Sequence, residues 1–143
     1  MKWKSLVFLA VAFCLPAGCA TTPAPSQSAP LPPQERVFDR SYLKPDTQRS
    51  ELVTVVRDNG FMGSAVQMIF KVNTSPIAAL KAGEKVEIYL APGKYIFVAE
   101  GNPNPFSEPP GESEVEITSG QMNKFRLRLV PGDGPRYERT IQP

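Results

Sequence analysis

The 143-residue chain has no histidine. Its two cysteines, Cys14 and Cys19, both fall near the N-terminus, so everything downstream lacks a thiol and a disulfide. These absences remove His- and Cys-based nucleophiles and bases, and zinc sites built on His or Cys, from the rest of the chain. No segment carries the Asp/Asn spacing of a calcium loop, and there is no P-loop and no glycine-rich dinucleotide motif. A surplus of positive charge is also missing. The chain has 16 Lys+Arg against 14 Asp+Glu, and without Lys2 and Lys4 the balance is even. That argues against nucleic acid, whose binding rests on cations neutralising phosphates. The apolar run at residues 6–15 has about ten residues, where a bilayer span needs about twenty. What the chain does have is 16 prolines, 10 glycines and a series of short apolar runs.

The first segment reads MKWKSLVFLAVAFCLPAGC. A basic start, a short apolar run and the small pair Ala17-Gly18 are the features of a signal peptide covering residues 1–18. The LPAGC ending resembles a bacterial lipobox, with one departure: Pro16 stands three places before the cysteine, where Leu is usual, and Leu15 lies one place further back. The resemblance implies that Cys19 becomes the first mature residue, carries a lipid and attaches the protein to a membrane. Ala20, in place of Asp, implies sorting to the outer membrane by the same analogy. The mature chain would have 125 residues, enough for one domain held together without covalent staples.

Residues 20–33 (ATTPAPSQSAPLPP) offer little to bury, and their prolines favour an extended polyproline II path. At roughly 3.1 Å per residue such a tether would reach about 40 Å. Residues 34–48 are ambiguous between an irregular segment and a short helix ended by Pro45. Residues 19–49 are therefore expected to be a lipidated tether, and residues 50–143 the folded domain.

From Ser50 the texture changes to strands and turns. Residues 52–57 (LVTVVR) are β-branched, and Asn59-Gly60 follows them as a hairpin signal. This predicts Val53 opposite Val66 and Val55 opposite Ser64. Val66, Met68, Phe70 and Val72 alternate on one face of the next strand. A short strand is expected at 77–80. Residues 85–90 alternate with Val86, Ile88 and Leu90 inward and Tyr89 outward. Ala91-Pro92-Gly93-Lys94 has the form of a type II turn. Residues 95–100 are apolar on both faces, as in a central strand. Residues 101–112 hold four prolines and one aromatic, Phe106, and form the longest irregular stretch of the domain.

Residues 113–118 and 122–130 pair well on paper. With Val115 opposite Phe125, Glu116, Glu114 and Glu112 face Lys124, Arg126 and Arg128, so the cationic stripe reads as a solvated face neutralised by its neighbour. A last strand is expected at 136–141. Seven to eight short strands separated by turns, without a long helix, describe an all-β fold: a single antiparallel β-sandwich, immunoglobulin-like or prealbumin-like.

The NGFMGSA turn at 59–65, the run from Lys71 to Phe97 with its Leu-Ala-Pro-Gly-Lys-Tyr corner, and the Gly120-Gln121 turn before Phe125 together resemble small bacterial lipoproteins with a PEGA-like or carboxypeptidase-regulatory-like β-sandwich. The resemblance implies a fold and supplies no catalytic residue. Glu112, Glu114 and Glu116 are accounted for as a strand face, and Asp39, Asp46, Asp58 and Asp133 as turn or terminal residues. The chain thus reads as a non-enzymatic, lipid-anchored envelope module without metal or cofactor, acting on a protein partner through an edge strand or the 101–112 loop. Two other readings remain open. Tyr89, Tyr95 and Phe106 are candidate contacts to a partner or to a glycan such as peptidoglycan, and the proline-rich loop is a candidate inhibitor of a periplasmic hydrolase.

Overall fold

The computed structural model describes residues 21–60, 64–103, 109–130 and 132–141. Eight strands are present there: β1 (Glu51–Arg57), β2 (Gln67–Val72), β3 (Ser75–Leu80), β4 (Lys85–Leu90), β5 (Gly93–Asn102), β6 (Gly111–Ile117), β7 (Asn123–Val130) and β8 (Gly134–Arg139). They form two four-stranded sheets in the orders β4-β1-β7-β8 and β3-β2-β5-β6. Every strand pair is antiparallel except β1–β7, which is parallel. The chain is an all-β sandwich, as its alternating runs imply.

The inner faces pack together through the residues that the period of two selects. Val86, Ile88 and Leu90 of β4 face Phe70 and Val72 of β2 and Val115 and Ile117 of β6 across one core. Its centre is aromatic. Phe97 stands edge-on to Phe70, Phe125 and Tyr137, with ring centroids 5.1, 5.2 and 5.5 Å apart. Each such pair contributes about 0.5–1.5 kcal/mol beyond area burial. The Tyr137 hydroxyl donates to the Val98 carbonyl at 3.0 Å, so its burial leaves no polar group stranded.

Pairing differs from the sequence expectation at two turns. Asn59-Gly60 does not join a hairpin, because β1 and β2 lie in different sheets and β1 sits between β4 and β7. Among the described residues, positive φ occurs at Asn73 and at five glycines, not at Asn59 or Gly60, so the turn that an Asn-Gly hairpin needs is not made. The main chain of Asn59 pairs instead with Thr22, at 2.7 and 2.9 Å. The predicted β6–β7 hairpin also fails: Val115 and Phe125 belong to opposite sheets. Asn123 is the cause. Its buried side chain accepts from the Thr118 amide and donates to the Thr118 and Gln121 carbonyls, bending residues 118–122 into a corner between the sheets. Ala91-Pro92 is likewise a corner, tied by the Tyr95 hydroxyl to the Ala91 carbonyl at 3.0 Å.

The segment expected as a free tether is docked along its described part. Residues 26–28 make a turn, and Ala24 and Ala29 pack on Val56, on the outer face of β1. The Pro30 carbonyl accepts from the Lys85 amide at 3.0 Å. Val56 would otherwise be a bare apolar side chain; two alanine methyls and a turn suffice to cover it. Further on, 3₁₀ turns at Gln34–Arg36 and Arg40–Leu43 flank Val37, which bridges to Ala78 on the edge of β3.

The other side of the sandwich closes by direct contact between β6 and β8. The Tyr137 amide donates to Ser113 Oγ, and the Arg139 guanidinium donates to the Glu116 carbonyl. Gly111 lets the two strands meet, since a Cβ there would be driven into the Pro135 carbonyl. Gly111→Ala is therefore expected to destabilise the domain by about 1–3 kcal/mol through overpacking, seen as a lower denaturant midpoint with an unchanged m-value. Gly120→Ala, with open space around its Cβ and only a left-handed φ to strain, is the milder comparison.

Candidate functional site

Arg36 fixes the N-terminal segment against the sandwich. Its guanidinium makes two 2.6 Å bonds to the Glu84 carboxylate and a 3.0 Å bond to the Ala79 carbonyl. The Phe38 amide adds a bond to the Ile77 carbonyl at 2.8 Å. Past this clamp, Asp39 accepts from the Ser41 amide, and Tyr42 packs on the core with the Arg49 guanidinium 4.7 Å above its ring. These contacts hold residues 31–43 away from β4 along part of their course and leave a groove.

The groove has a volume of about 410 Å3. Leu31, Val37 and Leu43 form its outer wall, and Leu52, Val86 and Tyr89 form the wall on the sheet. Three of these leucines are unusually bare: Leu31 is 57%, Leu52 47% and Leu43 37% exposed. Scattered surface leucines are common, but here they converge on one concavity, which is the usual mark of a binding surface. Gln34 and Glu87 are its polar members, and Lys85 Nζ lies 2.9 Å from the Glu87 carboxylate, so the groove carries no uncompensated charge.

Of the residues singled out from sequence, Tyr89 lines this groove. Tyr95 does not join it. Tyr95 lies across from Val115 on the inner side of the other sheet, partly buried against the core, and its hydroxyl is engaged by Ala91. Burial pushes that hydroxyl above its ordinary value. The two tyrosines thus make no common aromatic platform. Cys19 and Phe106 lie outside the described residues. Two of the groove leucines, Leu31 and Leu43, come from the presumed tether and its continuation, where no strand period marks them, and Leu52 sits on the outward face of β1.

Two members of the cationic stripe on β7, Arg126 and Arg128, are neutralised, though not by β6. Arg126 is bonded through two nitrogens to the buried Asp58 carboxylate, at 3.0 and 2.5 Å, and Arg128 to Glu138 at 3.0 Å. Glu114 pairs with Lys94 instead. Asp58, expected as a turn residue, is a buried ion-pair partner. Among the described residues, no group of three or more carboxylate or cysteine side chains is placed to hold a metal ion, and no helix is long and apolar enough to cross a membrane. No family model, curated protein or solved structure matches the chain.

The clamp that shapes the groove is acid-sensitive. Burial pushes the Glu84 carboxyl up, but the Arg36 hydrogen bonds, the Lys81 amide and the nearby Arg36 and Lys81 charges outweigh it, leaving Glu84 below its ordinary value of 4.5. A carboxyl depressed in the folded state adds stability above its unfolded pKa, and that stability is lost as the pH falls through the folded value. Unfolding free energy is thus expected to decline once the pH drops below about 4.5. In Glu84→Gln the decline should be shallower, and equal slopes in the two proteins would contradict the assignment.

Proposed function

We propose that this protein is a lipid-anchored, non-catalytic interaction module of the bacterial envelope, and that the groove beside β4 is its contact surface. The single observation that carries this reading is the convergence of Leu31, Leu43, Leu52 and Tyr89 on one apolar concavity. A domain that buries Val56 with two alanines has the means to cover its apolar surface, yet leaves these side chains open. Anchoring rests on the N-terminal basic–apolar–small pattern ending at Cys19, and outer-membrane placement on Ala20. The PEGA-like resemblance concerns fold alone and supplies no part of this reading.

The groove favours a protein segment over a glycan. Its walls are mainly aliphatic, and the only ring among the six wall residues belongs to Tyr89. Sugar stacking would draw on more than one aromatic face, and Tyr95 is engaged elsewhere.

The test is site-specific photo-cross-linking in intact cells, with the reactive residue at position 52. The expected outcome is an adduct with one envelope protein, lost when Leu43→Asp places a charge in the groove. Absence of an adduct, or an adduct indifferent to Leu43→Asp, would overturn the reading. Cys19→Ala is expected to move the protein from the membrane fraction to the soluble periplasm in the same cells; retention on the membrane would refute the anchor.

A further inference from the structure

The groove adjoins a strand edge that the N-terminal segment covers only in part. β4 is the terminal strand of its sheet, with β1 on one side. Arg57 donates its amide to the Glu84 carbonyl at 2.9 Å, which fixes the phase of the β1–β4 ladder. With Val55 opposite Val86 and Val53 opposite Ile88, those are the bonded pairs, and residues 85, 87 and 89 turn their N–H and C=O groups away from β1. The Lys85 amide confirms this phase, since it reaches outward to Pro30. Among the described residues, nothing takes the outward N–H and C=O of Glu87 and Tyr89. The other edges are engaged in part: β3 through Val37 and Phe38, β8 through the Tyr137 amide and β6 through the Glu116 carbonyl, but only β4 borders the apolar groove.

We propose that the β4 edge binds, by strand addition, a short, uncharged, extended peptide segment of a partner protein with apolar side chains at alternate positions. The proposal rests on the interaction-module reading and names what that module holds. Two outward residues at alternate positions offer up to four main-chain hydrogen bonds, the footprint of a strand of about five residues. Alternate side chains of such a strand would point at Leu52 and Tyr89 on the sheet side and at Leu31 and Leu43 on the facing wall. Charge gives a charged segment nothing to pair with, because Lys85 already compensates Glu87. A second copy of this chain fits poorly. Pro30 occupies the edge at Lys85, and Leu31 stands beside it, so two β4 edges cannot align over more than the Glu87–Tyr89 stretch.

The test uses the full-length protein in detergent and a blocked pentapeptide with valine at its second and fourth positions and threonine elsewhere. Binding is followed by amide hydrogen exchange and by titration of backbone chemical shifts. Saturation is expected to slow exchange at Glu87 and Tyr89, with the largest shifts at those residues and at Leu52. Glu87→Ala and Glu87→Pro both remove the carboxylate, but only the second removes an outward N–H, at an edge position where proline leaves the β1 ladder intact. Glu87→Pro should bind about tenfold more weakly than Glu87→Ala, the equivalent of one hydrogen bond. A peptide N-methylated at its central amide removes a bond from the other partner and should weaken binding similarly, which keeps the test valid if Glu87→Pro folds badly. Unchanged exchange at Glu87 and Tyr89 on saturation, or equal binding by the proline and alanine variants, would overturn strand addition. An in-cell adduct at position 52 that survives Glu87→Pro would also overturn it while leaving the interaction module standing.

Discussion

The structure depends on the two-sided burial of β1. This strand is paired on both edges, with β4 and β7, and from Val53 to Asp58 it is buried on both faces. Val53 and Val55 enter the core between the sheets, while Thr54 and Val56 face outward. An outward valine in the middle of a sheet demands a cover, and the sandwich has no third layer of strands to supply one. Residues 21–33 supply it. The N-terminal segment is thereby part of the fold, and its path past Pro30 sets up both the clamp at Arg36 and the groove.

Arg57 ends the inward row of β1 and carries the constraint to the connections. Its guanidinium donates to the Val66 and Leu80 carbonyls, each at 2.7 Å, tying the approach to β2 and the end of β3 to β1. Burial pushes this guanidinium down to about 10, against the opposing pull of Glu84 and Tyr137. It remains a cation at neutral pH, so its interior position costs desolvation that the two carbonyl bonds and the Glu84 field offset. Glu84 is the same carboxylate that holds Arg36. One acid thus couples the buried cation of the sandwich to the segment that wraps it.

Strand existence and strand faces were legible because alternation is local. Val86, Ile88 and Leu90 point inward as their spacing requires, and β2 behaves likewise. Strand partners were not legible, since alternation says which face is buried and not which neighbour lies alongside. Turn chemistry does not repair this. Four of the seven connections cross between sheets and three are hairpins, and Pro, Gly, Asn and Asp serve both kinds. The β6–β7 register satisfied hydrophobic and charge matching together and was still wrong, because charged residues on two outward faces find partners wherever the fold brings opposite signs together. Arg126 finds Asp58, 68 residues away in sequence. The docking of residues 21–33 was hidden for a different reason: its contacts are made by alanines, which carry almost no hydropathic signal among prolines and serines.

The groove follows from the way the sandwich closes. A β-sandwich has two open sides, each presenting two edge strands to water, and edges left bare invite unwanted pairing. On the β6–β8 side the two sheets approach until Gly111 meets Pro135, and each edge caps the other. On the β3–β4 side the sheets do not meet, and the N-terminal segment fills the gap. That segment reaches the β3 edge through Val37 and Phe38; among the described residues its main-chain bond to β4 is at Lys85, and it otherwise packs on β4 through the turn at Arg40–Leu43. A single irregular chain cannot follow two diverging edges at once. Having taken β3, it must leave part of β4 uncovered, and the leucines it carries past that gap become the wall of the groove.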